Sequence, residues 1–385
     1  MLHLHFLNVE NGDCIIAEFV ADCERSFGLI DCNRTSTRKS PALHKLQSLG
    51  VEELEFVCIT HPDADHFTGI IDVLRHYEGK IRSFLTFPLS SLLTDQERLK
   101  KYAKKVLQLA ERGDDEEIAS RHLEFVEILQ YAKDHFLPEN WLQVSGDFDR
   151  LGISGFGTAA FYGIGPPKAM NGSIVQAVLN PESFTAVDNN EVSVAIQVNY
   201  AGRKVILGGD ATNENWISHR RYREKIGASI TSDVVKLPHH GSHLDNSPET
   251  LADFFGGANG GIAVISAGGR SHPAFETMDR LNELGCQRIC TNLFNPSERS
   301  VRRLYNDAAL ESRLKHFLNV YAFPLATKPQ ACKGDIRITI CPDGSIASDT
   351  EFNNILCACT TAFNAAGVPL LPTLPPVATS LTATI

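Results

Sequence analysis

The sequence has no run approaching the roughly 18 apolar residues that a membrane-spanning helix needs, so a protein anchored by such a helix is not expected. It opens Met1-Leu2-His3-Leu4-His5-Phe6, without a basic region followed by a long apolar one. That argues against a signal peptide and makes the reduced cytoplasm the expected compartment. No two CxxC units occur among the ten cysteines, which excludes the usual cysteine zinc site. Cys14, Cys32 and Cys58 sit inside apolar runs and read as small buried hydrophobes, and the Cys357-Ala358-Cys359 pair stands alone. Positive charge is scarce: 36 Lys and Arg face 46 Asp and Glu, for a net charge of -10. A protein that coats nucleic acid by counterion release is usually basic. The charge argues against broad coating and leaves open cutting by metal ions with a local basic rim. No solenoid-type repeat is present.

What remains is an ordinary globular composition, 43% hydrophobic and 21% charged over 385 residues, enough for a sizeable core. One domain is expected over residues 1–348. Within it, about 90–137 change character: Asp95 to Ala110 and Glu116 to His135 carry charged helical periodicity around an acidic turn, Gly113-Asp114-Asp115-Glu116-Glu117. This reads as a helical insertion, a lid or a contact for a second copy or another protein, or else a solvated helical hairpin. Its removal over 95–135 is expected to leave the rest folded. Residues 349–385 form a nearly uncharged tail rich in Pro, Thr and Ala, disordered or strapped to the surface.

Strands are expected at 2–9, then beyond a hairpin turn at Asn11-Gly12, at 27–32, 54–60, 157–164, 192–199, 205–209, 234–237, 262–266 and 336–341. Helices are expected at 41–49, 69–77 and 273–284. The strand Leu54 to Thr60 runs into His61-Pro62-Asp63-Ala64-Asp65-His66. Four potential metal ligands thus lie just past a strand end, where chemistry collects in α/β folds. His61, Asp63 and Asp65 alternate and would face one side of an extended loop. Two histidines and two carboxylates suit two ions held a few ångströms apart. Two more strand ends deliver candidates: Leu207-Gly208-Gly209-Asp210, and Lys236-Leu237-Pro238-His239-His240-Gly241-Ser242. The bland alternative for Asp210 is a cap on the helix that follows it.

In order and spacing these stretches resemble the metallo-β-lactamase fold superfamily, and most closely the hydrolase domain of ComEC-type DNA-uptake proteins. Val9-Glu10-Asn11-Gly12-Asp13, Leu29-Ile30-Asp31, Thr60 to Gly69, Asn190 with Ser193, Val264-Ile265-Ser266 and Ser271-His272-Pro273 extend the match. It spans roughly residues 4–345 apart from the insertion. The resemblance implies an α/β fold, an αββα sandwich with the site at its rim. It implies metal-ligand roles for His61, Asp63, Asp65, His66, Asp210 and one of His239 and His240. The superfamily's commonest pattern has a histidine where Asp63 stands, and another before Asp210, where this chain offers only Asn189 and Asn190. One ion's site is therefore richer in oxygen, so manganese or magnesium competes with zinc; about two ions per chain are expected when metal is supplied, with the His61 and Asp63 site the weaker.

The expected function is a metal-dependent hydrolase, a phosphodiesterase or nuclease acting on nucleic acid or a nucleotide. Two divalent ions, Zn2+ or Mn2+, would activate water. Asp65 or Asp210 would accept a proton, and Lys236 and His272 would bind a phosphate or protonate a leaving group. Asp31 would orient a ligand histidine, while Asp13 reads as a turn residue bonded to backbone. The alternatives are a hydrolase of a small ester, lactone or amide, or a non-catalytic subunit of a larger system such as a defence complex.

Overall fold

The computed structural model describes residues 1–21, 24–35, 40–89, 116–167, 189–256, 260–268, 272–291 and 334–350. Strand β1 (Leu2–Phe6) buries Leu2, Leu4 and Phe6 completely and pairs antiparallel with β2 (Ile15–Ala21), Phe6 opposite Ile15. The expected hairpin exists, but residues 7–14 connect it rather than a two-residue turn. Gly12 lies in this loop at φ 91°, and a Cβ there would collide with the Asp65 carbonyl oxygen. Only glycine permits both the backbone sign and the approach.

The first sheet adds β3 (Glu24–Ile30), β4 (Leu54–Ile59), β5 (Ile81–Thr86), β6 (Trp141–Gln143), β13 (Ile336–Ile340) and β14 (Ile346–Thr350). Its order is β14-β13-β1-β2-β3-β4-β5-β6, antiparallel up to β3 and parallel from there. Every residue of β4 is buried, as a parallel strand covered on both faces requires. The second sheet holds β7 (Ala160–Gly165), β8 (Ala195–Tyr200), β9 (Arg203–Leu207), β10 (Val234–Lys236), β11 (Ile262–Ile265) and β12 (Gln287–Cys290), ordered β12-β11-β10-β9-β8-β7. From β9 to β12 it is parallel.

The two-residue period of the second sheet sorts its side chains into two cores. Val198, Val205, Leu207, Val234 and Val264 join Leu4, Phe6 and Phe56 of the first sheet. Ile206, Val235, Ala263 and Ile265 instead meet Trp216, Leu251, Phe254, Met278 and Leu281. Those come from α5 (Asn213–Ile226), α6 (Pro248–Phe255) and α7 (Phe275–Glu283). The first sheet is covered by α1 (Pro41–Ser48), α3 (Ile70–His76) and α4 (Glu116–His135). A single turn, α2 (Ala64–Phe67), precedes α3. The layers run helix, sheet, sheet, helix: an αββα sandwich. Local chemistry sets the helix starts. Ser40, Thr212 and Ser247 each accept a backbone N–H at an N-cap, with Pro41 and Pro248 in the first turn. No described helix is long and apolar enough to cross a membrane.

The segment read as an insertion is described only from α4 onward; the helix expected over 95–110 and the tail beyond 350 lie outside the described residues. Burial makes α4 part of the core rather than an appendage. Phe125, Ile128, Leu129 and Ala132 are almost wholly buried in the same cluster as both sheets, and the Phe125 and Phe67 rings lie 5.1 Å apart. The Glu124 carboxylate accepts from Arg34 at 2.6 Å and from the Gly69 N–H at 3.1 Å. Deleting 95–135 would uncover this face, contrary to the expectation from sequence. Phe125→Ala should cost about 3–5 kcal/mol in denaturant unfolding; a loss below about 1 kcal/mol would return α4 to the periphery.

Candidate metal centre

The centre forms where the carboxyl ends of β4, β9 and β10 meet. Past β4 the backbone N–H and hydroxyl of Thr60 donate to the Asp31 carboxylate at 2.8 and 2.6 Å. Asp31, fully buried, also takes the Nδ1 of His66 at 2.8 Å. This is the orienting contact expected of it. With Nδ1 engaged, His66 must present Nε2 to the centre. His61 is held from its Nδ1 side by the Thr60 and Ser193 hydroxyls, at 3.0 and 3.4 Å.

One backbone bond stitches the two sheets here, and a second ties the ends of β10 and β9 within the second sheet. The Val194 N–H donates to the Thr60 carbonyl at 2.9 Å, and the His239 N–H to the Gly209 carbonyl at 3.0 Å. Gly209 has φ 52°, and a Cβ on it would lie 2.5 Å from the Ser193 hydroxyl. The glycine thus lets β9 close against the 190s and deliver Asp210, whose N–H donates to Ser193 Oγ at 2.8 Å. The helix after Asp210 is capped by Thr212, so Asp210 is not spent as a cap. Its Oδ2 lies 3.3 Å from His66 Nε2 and 3.2 Å from His240 Nε2.

His239 and His240 both adopt positive φ, 45° and 54°, a conformation costing of order 1–3 kcal/mol outside glycine. The paired turn separates their side chains. His240 is buried, donates Nδ1–H to the Ser266 carbonyl at 2.9 Å and points Nε2 at Asp210. His239 is left at the rim, its Nδ1 2.6 Å from Asp245. The structure thus brings His240 among the candidate ligands and leaves His239 outside them.

The donor atoms have the properties of an ion cage. His61 Nε2, His66 Nε2, His240 Nε2 and Asp210 Oδ1 are buried and make no hydrogen bond. Buried polar atoms are rarely left so. Ligand atoms of His61, His66 and Asp210 lie within 4.8 Å of one another, as do those of Asp65, His66 and His240. These groups could hold a metal ion. Asp65 is 38% exposed at the mouth, its Oδ2 3.8 Å from His240 Nε2. Asp63 joins none of these groups; its Oδ2 is 3.5 Å from His61 Nε2, and its Oδ1 accepts from Asn189.

Electrostatics match. Burial would raise the Asp210 carboxyl, but His240 and His66 outweigh it and hold it well below its ordinary range. Burial would lower His66, but Asp210 and Asp31 outweigh it and keep its pKa well above the usual value. His272 stands beside the centre, its ring 5.3 Å from that of His239. Burial, then His239 and His240, push it down to about 4. At neutral pH it is an uncharged ring able to donate or accept a hydrogen bond.

Two residues sit otherwise than the sequence suggested. Lys236 was expected against substrate, yet it is fully buried beneath Asp210. Its ammonium donates to the Gly209 carbonyl at 2.9 Å, pairs with Asp13 and lies 3.7 Å from Asp210 Oδ1. Burial lowers its pKa, but Asp13 and Asp210 more than restore it. Asp13, read as a turn residue, is 1% exposed and forms the floor of the centre, 3.8 Å from His240 Nδ1. An interior lysine needs an interior carboxylate, and Asp13 is that partner here. Lys236→Met should therefore destabilise the metal-free protein by about 3–5 kcal/mol, and adding Asp13→Asn should recover part of that loss in denaturant unfolding. A double variant that is less stable than the single by the full cost of Asp13→Asn alone would show that the pair is not coupled.

No family model matches the sequence, and no curated protein matches it. Among solved structures, it is similar to a mutant of the CmlA β-hydroxylase at 12% identity and a TM-score of 0.42, over 76% of this chain and 52% of that one. It is similar to a diphosphatase of the PhnP family at 10% identity and a TM-score of 0.33, over 75% and 85% of the two chains. It is also similar to Zn2+-bound PqqB from Methylobacterium extorquens at 11% identity and a TM-score of 0.35, over 71% and 84%. The chain spans about half the length of the hydroxylase it matches.

Proposed function

We propose that this chain is a metal-dependent hydrolase that cuts phosphodiesters, in a nucleic acid or a nucleotide, with two divalent ions, Zn2+ or Mn2+, in the centre around Asp210. The observation that carries this reading is the convergence of His66 and His240 Nε2 on the Asp210 carboxylate, with His61 grouped beside His66 and Asp210, the three inward Nε2 atoms being buried and without hydrogen bonds. Imidazole nitrogen with carboxylate oxygen suits first-row divalent ions. The ordered motifs shared with ComEC-type hydrolase domains support a phosphodiester substrate.

Divalent ions held here would supply an acidified water and positive charge beside the phosphoryl group. The chain's own residues do the rest. Asp31 and the Ser266 carbonyl fix the tautomers and directions of His66 and His240. Lys236 and Asp13 act from below as positioning residues, holding the Gly209 carbonyl and the Asp210 carboxylate in place. In this reading Asp65, exposed at the mouth, takes a proton from water. His272, neutral and beside His239, hydrogen-bonds a leaving oxygen.

Asp210→Asn tests the reading, because it keeps the shape and removes the charge. Bound metal should fall, and hydrolysis of labelled single-stranded or duplex substrate should drop roughly 100-fold or more, about 2.7 kcal/mol of barrier. Native values for both metal content and rate would defeat it. Hydrolysis of a small ester, lactone or amide with every nucleic-acid and nucleotide substrate left intact would keep the metal and overturn the phosphodiester.

A further inference from the structure

The candidate donors are unevenly assembled. His61, His66, Asp65, Asp210 and His240 gather within ligand distance of one another in overlapping groups, while Asp63 stands aside from those groups. What holds Asp63 is Asn189, on a 3-10 turn, Asn189–Val192, that leads into β8. Asn189 Nδ2 donates to Asp63 Oδ1 at 2.6 Å. The amide orientation follows from chemistry, since an ionised carboxylate accepts only and so must face the NH2 end. The same orientation leaves Asn189 Oδ1 buried with no hydrogen-bond partner. One side chain thus ties down the Asp63 oxygen away from His61 and leaves Asp63 Oδ2 3.5 Å from His61 Nε2.

We propose that Asn189 is a positioning residue for the second ion, its amide fixing Asp63 so that Asp63 Oδ2 and His61 Nε2 act as one chelating pair. The inference rests on the two-ion reading of the centre. Free to rotate, the Asp63 carboxylate at 37% exposure would be drawn into water; tied through Oδ1 it keeps one oxygen for the ion. Groups that orient a ligand in this way typically govern metal affinity by 10–100-fold.

The test uses the full chain, stripped with chelator and titrated with manganese alone. Binding is followed by calorimetry and by electron paramagnetic resonance. The native chain should bind two ions and give the spin-coupled signal of a close pair. Asn189→Ala should weaken the second ion roughly 10–100-fold, leave the first within about twofold, and replace the coupled signal by that of an isolated ion. Asn189→Asp is the sharper variant: it keeps the size and adds negative charge but cannot donate to Asp63. Loss of the second ion supports positioning, whereas tighter binding of that ion overturns it. Unchanged affinities and an intact coupled signal in Asn189→Ala overturn the inference while leaving the two-ion reading standing. A native chain that binds no manganese overturns both.

Discussion

Charge compensation at the join of the two sheets is the constraint on which the rest depends. Asp13, Asp31 and Asp210 are each no more than 3% exposed, within a few ångströms of His66 and His240. Burying an unpaired charge costs several kcal/mol after relaxation, so such a cluster persists only when opposite charge sits inside it. Lys236 provides part of that from below, between Asp13 and Asp210. The imidazoles provide part from the sides. The inward nitrogens without hydrogen bonds mark where further positive charge fits.

The sandwich exists in a form that makes this possible. Parallel pairing of β3 with β4, and of β10 with β9 and β11, brings strand ends to one edge in each sheet. A backbone hydrogen bond from Val194 to Thr60 then locks the two sheets together at the centre, and one from His239 to Gly209 ties the ends of β10 and β9. Glycines at 12 and 209 permit approaches that a Cβ would block. The strained pair His239 and His240 is the local cost of sending consecutive imidazoles to different tasks.

Much of this was legible in the sequence, for definite reasons. The central strands β4, β9, β10 and β11 are apolar runs, and their ends carry the polar residues. Strands β5, β6, β12 and β14 were not legible. In β5, Ile81 to Ser83 lie part-exposed and only Phe84 to Thr86 are buried, which breaks the pattern a reader looks for. β6 has three residues, and β14 carries Ser348 and Asp349. The helix α4 looked like a charged surface hairpin because its buried stripe, Phe125, Ile128, Leu129 and Ala132, is narrow. At the centre the gathering of His61, Asp65, His66 and Asp210 was legible from order and spacing. The choice between His239 and His240 was not, because it depends on backbone φ. Nor was the burial of Lys236 against Asp13, a contact between the first loop and β10 that only the closed sandwich creates.

The central claim is that the cluster around Asp210 is an ion cage, and anomalous X-ray diffraction tests it most directly. Crystals grown with manganese or zinc, measured at the metal's absorption edge, should show two anomalous peaks between β4, β9 and β10. One should lie about 2.1 Å from His66 Nε2 and His240 Nε2, and the other beside His61 and Asp63. An empty map at Asp210 in crystals that scatter well at the edge would contradict the account.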